Sequence, residues 1–218
     1  MSFKEIMEIA YYTSSIGLFI VAILGLKQLK IAKSDIKIRS SRESAHIASE
    51  QCKIFIREVL PLTASFDKLL RENKVPSYNG AIKDFMNEEL TNASTWYNDW
   101  LNKMGELAGK ETEPLSIEVT AINALESFSV YFIRGIADET IAFSSVGIVF
   151  SNIVERYYPY ISLVRSQKNQ FNYYDNIIQL YRLWKGRIEM YGLIAQKKNI
   201  EQQLKNIPNT HIKPEGTE

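Results

Sequence analysis

Two clusters in this sequence bring carboxylates and a cation close enough to handle protons: Arg134, Asp138 and Glu139, and the pair Glu155 and Arg156. An enzymatic reading would place Arg134, Asp138 and Glu139 in a cleft. Neighbouring carboxylates on a helix point in different directions, however, and the same residue types also cap helix starts and form surface ion pairs. Two histidines, His46 and His211, with the single Cys52, are too few for a zinc cluster, and neither HExxH nor a CxxC pair occurs. No GxxxxGK[ST] or GxGxxG loop is present to cradle a phosphate, and the serine runs have no nearby histidine to act as a base. The expectation is a protein without catalytic residues, metal or cofactor.

What chemistry remains lies near the N-terminus. Thr13, Gly17, Val21 and Gly25 recur every four residues, which puts small side chains on one face of a helix and permits close approach by a partner helix. Ser14 and Ser15 add hydroxyls beside that face, and Glu5 and Glu8 stand one turn or more before it. One such helix cannot enclose a channel. Four or more copies would give a narrow pore with Glu5 and Glu8 as rings of negative charge at one mouth.

The element that must carry these residues is Ile9 to Leu26, IAYYTSSIGLFIVAILGL, which holds no charged side chain. As a helix it rises roughly 27 Å, enough to cross a hydrocarbon core about 30 Å thick once Glu8 and Lys27 reach toward the headgroups. A buried helix of a soluble domain is the competing reading, because Tyr11, Tyr12, Thr13, Ser14 and Ser15 make the first third polar. A cleaved signal peptide does not fit, since no basic region precedes the run and no small-residue cleavage pattern follows it. After it come six basic residues, Lys27, Lys30, Lys33, Lys37, Arg39 and Arg42, against the single acid Asp35. That excess should place the following chain on the cytoplasmic side of the membrane and the short N-terminus outside. The lone cysteine agrees with a reducing compartment.

The rest of the chain reads as all-α. With six prolines and ten glycines in 218 residues and a net charge of +1, the composition suits a helical domain and argues against a wholesale nucleic-acid coat. Residues 1–27 form the tail and transmembrane helix, 28–60 a long basic juxtamembrane helix, 61–206 a cytoplasmic helical domain and 207–218 a flexible tail. The span either runs on through Ile47, Ile54, Phe55 and Val59 as one rod to Pro61 or breaks near Ser40 and Ser41. Further helices are expected over Leu62 to Arg71, Ala81 to Leu90, Ala93 to Leu107 and Leu115 to Ile133, with loops at ENKVPSYNG and at Gly109 to Pro114. Asp138 and Glu139 should start a buried central helix that ends at Tyr157, Pro159 should open a short helix to Val164, and RSQKNQFNYYDN should be a linker. The last helix, from Asp175 to Leu204, spaces Ile177, Tyr181, Trp184, Ile188, Tyr191 and Ala195 by four and three, a bundle or coiled-coil pattern.

Two basic patches are candidate contacts. Lys30, Lys33, Lys37 and Arg39 follow the span, and Arg182, Lys185 and Arg187 lie among Tyr181 and Trp184. Either could hold a nucleotide or short single strand by neutralising phosphates and stacking bases. Anionic lipid accounts for the first patch without that assumption, and a solvated helix face accounts for the second.

One span and a basic helix, then FSVYFIRGIADE (Phe128 to Glu139), a helix from Phe143 ending in ERYYP, and LYRLWKGR (Leu180 to Arg187), together resemble a family of small bacterial single-span proteins associated with prophages and phage defence. The resemblance implies a membrane effector that depolarises its host when activated. It further implies the pore-forming partner of a nucleotidyltransferase whose oligonucleotide gates it. The leading expectation is therefore a homo-oligomer, such as a tetramer, forming a gated pore; the alternative is a membrane tether for a cytoplasmic partner protein.

Overall fold

The structure, a computed structural model, describes residues 2–86, 90, 94–110, 113–166 and 172–206, with backbone alone at residues 9, 10, 94, 110 and 113–117. It is all-α, with no strand among the described residues. The helices are α1 (Phe3–Ile54), α2 (Leu60–Glu72), α3 (Ser94–Lys110), α4 (Glu113–Ile133), α5 (Glu139–Ser166) and α6 (Asp175–Lys205).

α1 and α2 are one rod from Phe3 to Glu72, without the break near Ser40 and Ser41, and Pro61 does not end it. Proline lacks the N–H of a helical turn, and its ring presses on the carbonyl four residues back. The backbone accommodates this by widening to a π turn over Phe55–Val59, where the Leu60 N–H donates to the Phe55 carbonyl. Phe55, Val59, Thr63 and Phe66 stay on the bundle side through the widened turn.

The core lies where the end of this rod meets α4, α5 and α6. Trp184 of α6 is fully buried, with its ring 4.9 Å from Phe150, 6.3 Å from Phe128, 6.1 Å from Phe132 and 6.0 Å from Phe143. Phe55 of the π turn closes the cluster at 4.9 Å from Phe128. α3 adds Tyr97, Trp100, Met104 and Leu107 at one side.

α5 begins as its acids suggest. Asp138 Oδ1 accepts the N–H groups of Thr140 (2.9 Å) and Ile141 (3.3 Å), the arrangement of an N-cap. The same turn meets the rod, because the Asp138 N–H donates to the Ser44 carbonyl at 3.1 Å. At the start of α6, Glu126 of α4 accepts from the Asn176 side chain at 2.6 Å and from the Ile177 N–H at 2.9 Å. A carboxylate there satisfies backbone donors that α6 itself leaves open. Buried Arg165 ties the end of α5 to α6 through the Tyr173 carbonyl (2.6 Å) and Asp175 (2.7 Å).

Three expectations are corrected. α5 passes through Pro159 to Ser166 instead of stopping at Tyr157. Tyr157, Tyr158, Ile161 and Ser162 are buried on both sides of the proline, and that packing outweighs the roughly 3 kcal/mol a helical proline costs. Ala81 to Met86 is not helical. That stretch is held by its aromatics, with Phe85 at φ 54° packed 5.0 Å from Tyr158 and 5.5 Å from Tyr181. Gly109 and Lys110 belong to α3, and Glu113 and Pro114 to α4, so helix occupies most of the expected loop. Residues 87–89, 91–93, 111–112, 167–171 and 207–218, which take in parts of the expected helices, loop and linker and the whole expected tail with His211, lie outside the described residues.

Candidate functional site

The apolar segment projects from the bundle with none of the other described residues packed over it. Over the described part of Ile9 to Leu26 every large apolar side chain is exposed, Leu18 at 75%. Among the described residues no helix of the bundle covers this run. Among the described residues it is the one helix long and apolar enough to cross a membrane.

Thr13, Gly17, Val21 and Gly25 share one face, and a Cβ added at Gly17 or Gly25 would meet nothing within 4 Å. The Ser14 and Ser15 hydroxyls both donate to the Tyr11 carbonyl at 2.8 Å, so the helix satisfies its own hydroxyls as hydrocarbon requires. Tyr11 and Tyr12 meet edge to face at 5.7 Å near one end, where amphipathic rings suit a membrane interface. At the very start Glu5 accepts the Ser2 N–H at 2.8 Å and works as a capping residue, while Glu8 is exposed one turn on. Lys30, Lys33, Lys37 and Arg39 are exposed along the neck between span and bundle, as is His46 at its foot.

The second basic patch is built differently. Arg182 pairs with Asp84 at 3.6 Å, Lys185 with Glu155 at 2.6 Å, and Arg187 with Glu139 at 2.8 Å while lying 4.5 Å over the Phe143 ring. Tyr181 and Trp184 are buried, the first bonded to Glu155 and the second to Glu139. These cations and rings fasten α6 to its neighbours, and the two aromatics offer no open face on which a base could stack. The acidic clusters are used in the same way: Asp138 is a cap, Glu139 and Glu155 hold α6, Arg156 pairs with Asp67, and Arg134 is exposed on the turn. The structure does not gather Arg134, Asp138 and Glu139 into a cleft. No group of three or more metal-ligating side chains occurs among the described residues.

A cleft of about 160 Å³ opens elsewhere, between α2, α3 and α5, lined by Asp67, Leu70, Arg71, Tyr78, Trp100 and Arg156. Leu70, Trp100 and Arg156 also border a smaller recess in which Glu118 and Tyr157 lie. Glu118 is 1% exposed with Oε2 unpartnered, and the Tyr157 hydroxyl is likewise buried without a partner. Burial pushes the Glu118 carboxyl up to about 8 and also raises the Tyr157 phenol. Sequence reading passed over Glu118. Its spacing of three, four and seven from Ala121, Ile122 and Leu125 was the available signal, because it sets a carboxyl on the buried face of α4.

Residues 62–184, more than half of the chain, match the family model described as Domain of unknown function (DUF4760). The chain belongs to that family. No curated protein and no solved structure matches it. The DUF4760 match opens in α2 just past Pro61 and closes on Trp184, so it takes in the aromatic core apart from Phe55, the cleft and Glu118. It leaves out the apolar span, the neck, the π turn and the last two thirds of α6.

Proposed function

We propose that this protein is a non-enzymatic membrane effector of the bacterial inner membrane. The Ile9 to Leu26 helices of several copies assemble around a pore, and the DUF4760 domain on the cytoplasmic side senses the signal that opens it. The observation that carries this reading is the uncovered span: an apolar helix that no other described residue packs over, with Gly17 and Gly25 open on the face they share with Thr13 and Val21. Small side chains let helix backbones approach closely in lipid, where packing drives association. The resemblance to phage-defence proteins supplies the setting, and a nucleotide, oligonucleotide or protein partner supplies the signal. The exposed Lys30, Lys33, Lys37 and Arg39 are the basic surface left for a phosphate-bearing ligand or headgroup.

Membrane potential in bacteria producing the full chain tests the pore. Wild type should depolarise the cell under activating conditions, and Gly17→Leu should abolish the signal and reduce the oligomer in detergent. No depolarisation by wild type in any activating condition, or an unchanged signal in Gly17→Leu, would contradict it. One observation favours a second reading, a simple tether for a cytoplasmic protein: the Ser14 and Ser15 hydroxyls are engaged by their own backbone and need no water-filled lumen. The tether predicts that an unrelated transmembrane helix in place of residues 9–26 leaves function intact.

A further inference from the structure

Beyond Tyr191, whose ring meets Phe143 at 6.1 Å, α6 leaves the bundle and continues to Lys205. Every residue from Glu189 to Lys205 is exposed, and Leu193, Ile194, Ile200 and Leu204 are each more than half so. A free helix of about four turns is marginal in water, so the regular arm points to a surface that covers it.

The contacts fix the direction in which the arm runs. α4 and α6 lie side by side in the same sense, Glu126 against Asn176 and Phe132 against Trp184. α4 stops at Ile133, at the turn whose Asp138 N–H meets Ser44, and α6 runs on past it. The neck and the arm therefore leave the bundle at the same end. From Ser44 back to Lys27 the neck rises about 26 Å, and from Arg187, which is paired with Glu139 at that end, the arm rises about 27 Å to Lys205. Measured along their own axes the two are of nearly equal length, and the neck's length ends where the apolar span begins. The arm carries Lys197, Lys198 and Lys205 against Glu201, with Lys197 near Glu201 at 3.9 Å, and the neck six basic residues against Asp35 and Glu43.

We propose that the α6 arm is a second contact with the membrane, its tip meeting an anionic lipid surface through Lys197, Lys198 and Lys205 while Ile200 and Leu204 enter the headgroup layer. Like charge on neck and arm disfavours packing the arm on the neck of a second copy, whereas anionic headgroups attract both. The proposal rests on the reading of Ile9 to Leu26 as a membrane span.

The test uses the full chain in a Cys52→Ala background, carrying an environment-sensitive fluorophore at Leu204→Cys or, separately, at Phe19→Cys. It is reconstituted one copy per nanodisc in phosphatidylcholine with or without phosphatidylglycerol. With phosphatidylglycerol the Leu204 label should shift to the blue and its quenching by iodide should fall several-fold. Pure phosphatidylcholine, or Glu at Lys197, Lys198 and Lys205, should restore the water-like signal. A water-exposed Leu204 label in phosphatidylglycerol discs beside a lipid-exposed Phe19 label would overturn the arm contact alone. A water-exposed Phe19 label would overturn the span itself. Protection that appears only in discs holding two or more copies, whatever the lipid charge, would assign the arm to a second copy and overturn the proposal.

Discussion

Trp184→Ala is expected to destabilise the helical bundle by about 3–5 kcal/mol, the range for deleting a large buried aromatic. The indole stands among Phe128, Phe132, Phe143 and Phe150, which come from two other helices, so its loss leaves a cavity that no single rotamer change can fill. Its N–H also holds Glu139 at the start of α5, and with the indole gone Arg187 remains as that carboxylate's partner. Trp184→Phe should cost less, since it keeps a ring and loses the donor. Denaturant unfolding of the full chain in detergent, followed by near-ultraviolet circular dichroism, reads this as a lower midpoint at nearly constant slope. An unchanged midpoint in Trp184→Ala would mean that the aromatic cluster does not organise the domain.

Glu118→Gln is expected to change how stability depends on pH. In the folded chain burial holds the carboxyl at about 8, against an ordinary value of 4.5. Between those values the folded state keeps a proton that the unfolded state has lost. Unfolding releases it, and stability falls as pH rises through the window, by up to about 1.4 kcal/mol per unit. Below 4.5 both states are protonated and above 8 both are ionised, so this contribution is flat outside the window. Asp67, also raised by burial, adds a slope of the same sign in both proteins, so the difference between wild type and variant isolates Glu118. Glutamine keeps the shape and cannot ionise. The variant should gain on wild type steadily from pH 5 to pH 8, by a few kcal/mol in all. Parallel stability curves for the two proteins would show that Glu118 is solvated in the native state.

The features legible in the sequence were those written in local pattern. The apolar run, the basic stretch after it, the cap at Asp138 and the repeating threes and fours of α6 each follow from spacing along one helix, and the structure has a helix over each of them, though α5 runs on past its expected end. What could not be read depended on partners distant in the chain. Pro61 and Pro159 look like helix ends until a π turn and buried flanks are seen to accommodate them. Ala81 to Met86 has helical composition, yet Phe85 is drawn to Tyr158 and Tyr181, and that contact sets the backbone. Arg182, Lys185 and Arg187 read as an open basic face because Asp84, Glu155 and Glu139, which neutralise them, lie between 30 and about 100 residues away in sequence. Gly17 and its neighbours form the reverse case, because the fold leaves them bare and their use depends on a molecule outside the chain.

The most direct measurement is flotation of bacterial membranes on a density gradient after alkaline carbonate washing, with the full-length chain produced at low level. A helix seated in hydrocarbon keeps the protein with the floating lipid until detergent is added, and that is the expected result. Recovery of folded protein from the carbonate supernatant, with nothing in the lipid band, would show that Ile9 to Leu26 finds its cover elsewhere and would remove both the pore and the tether.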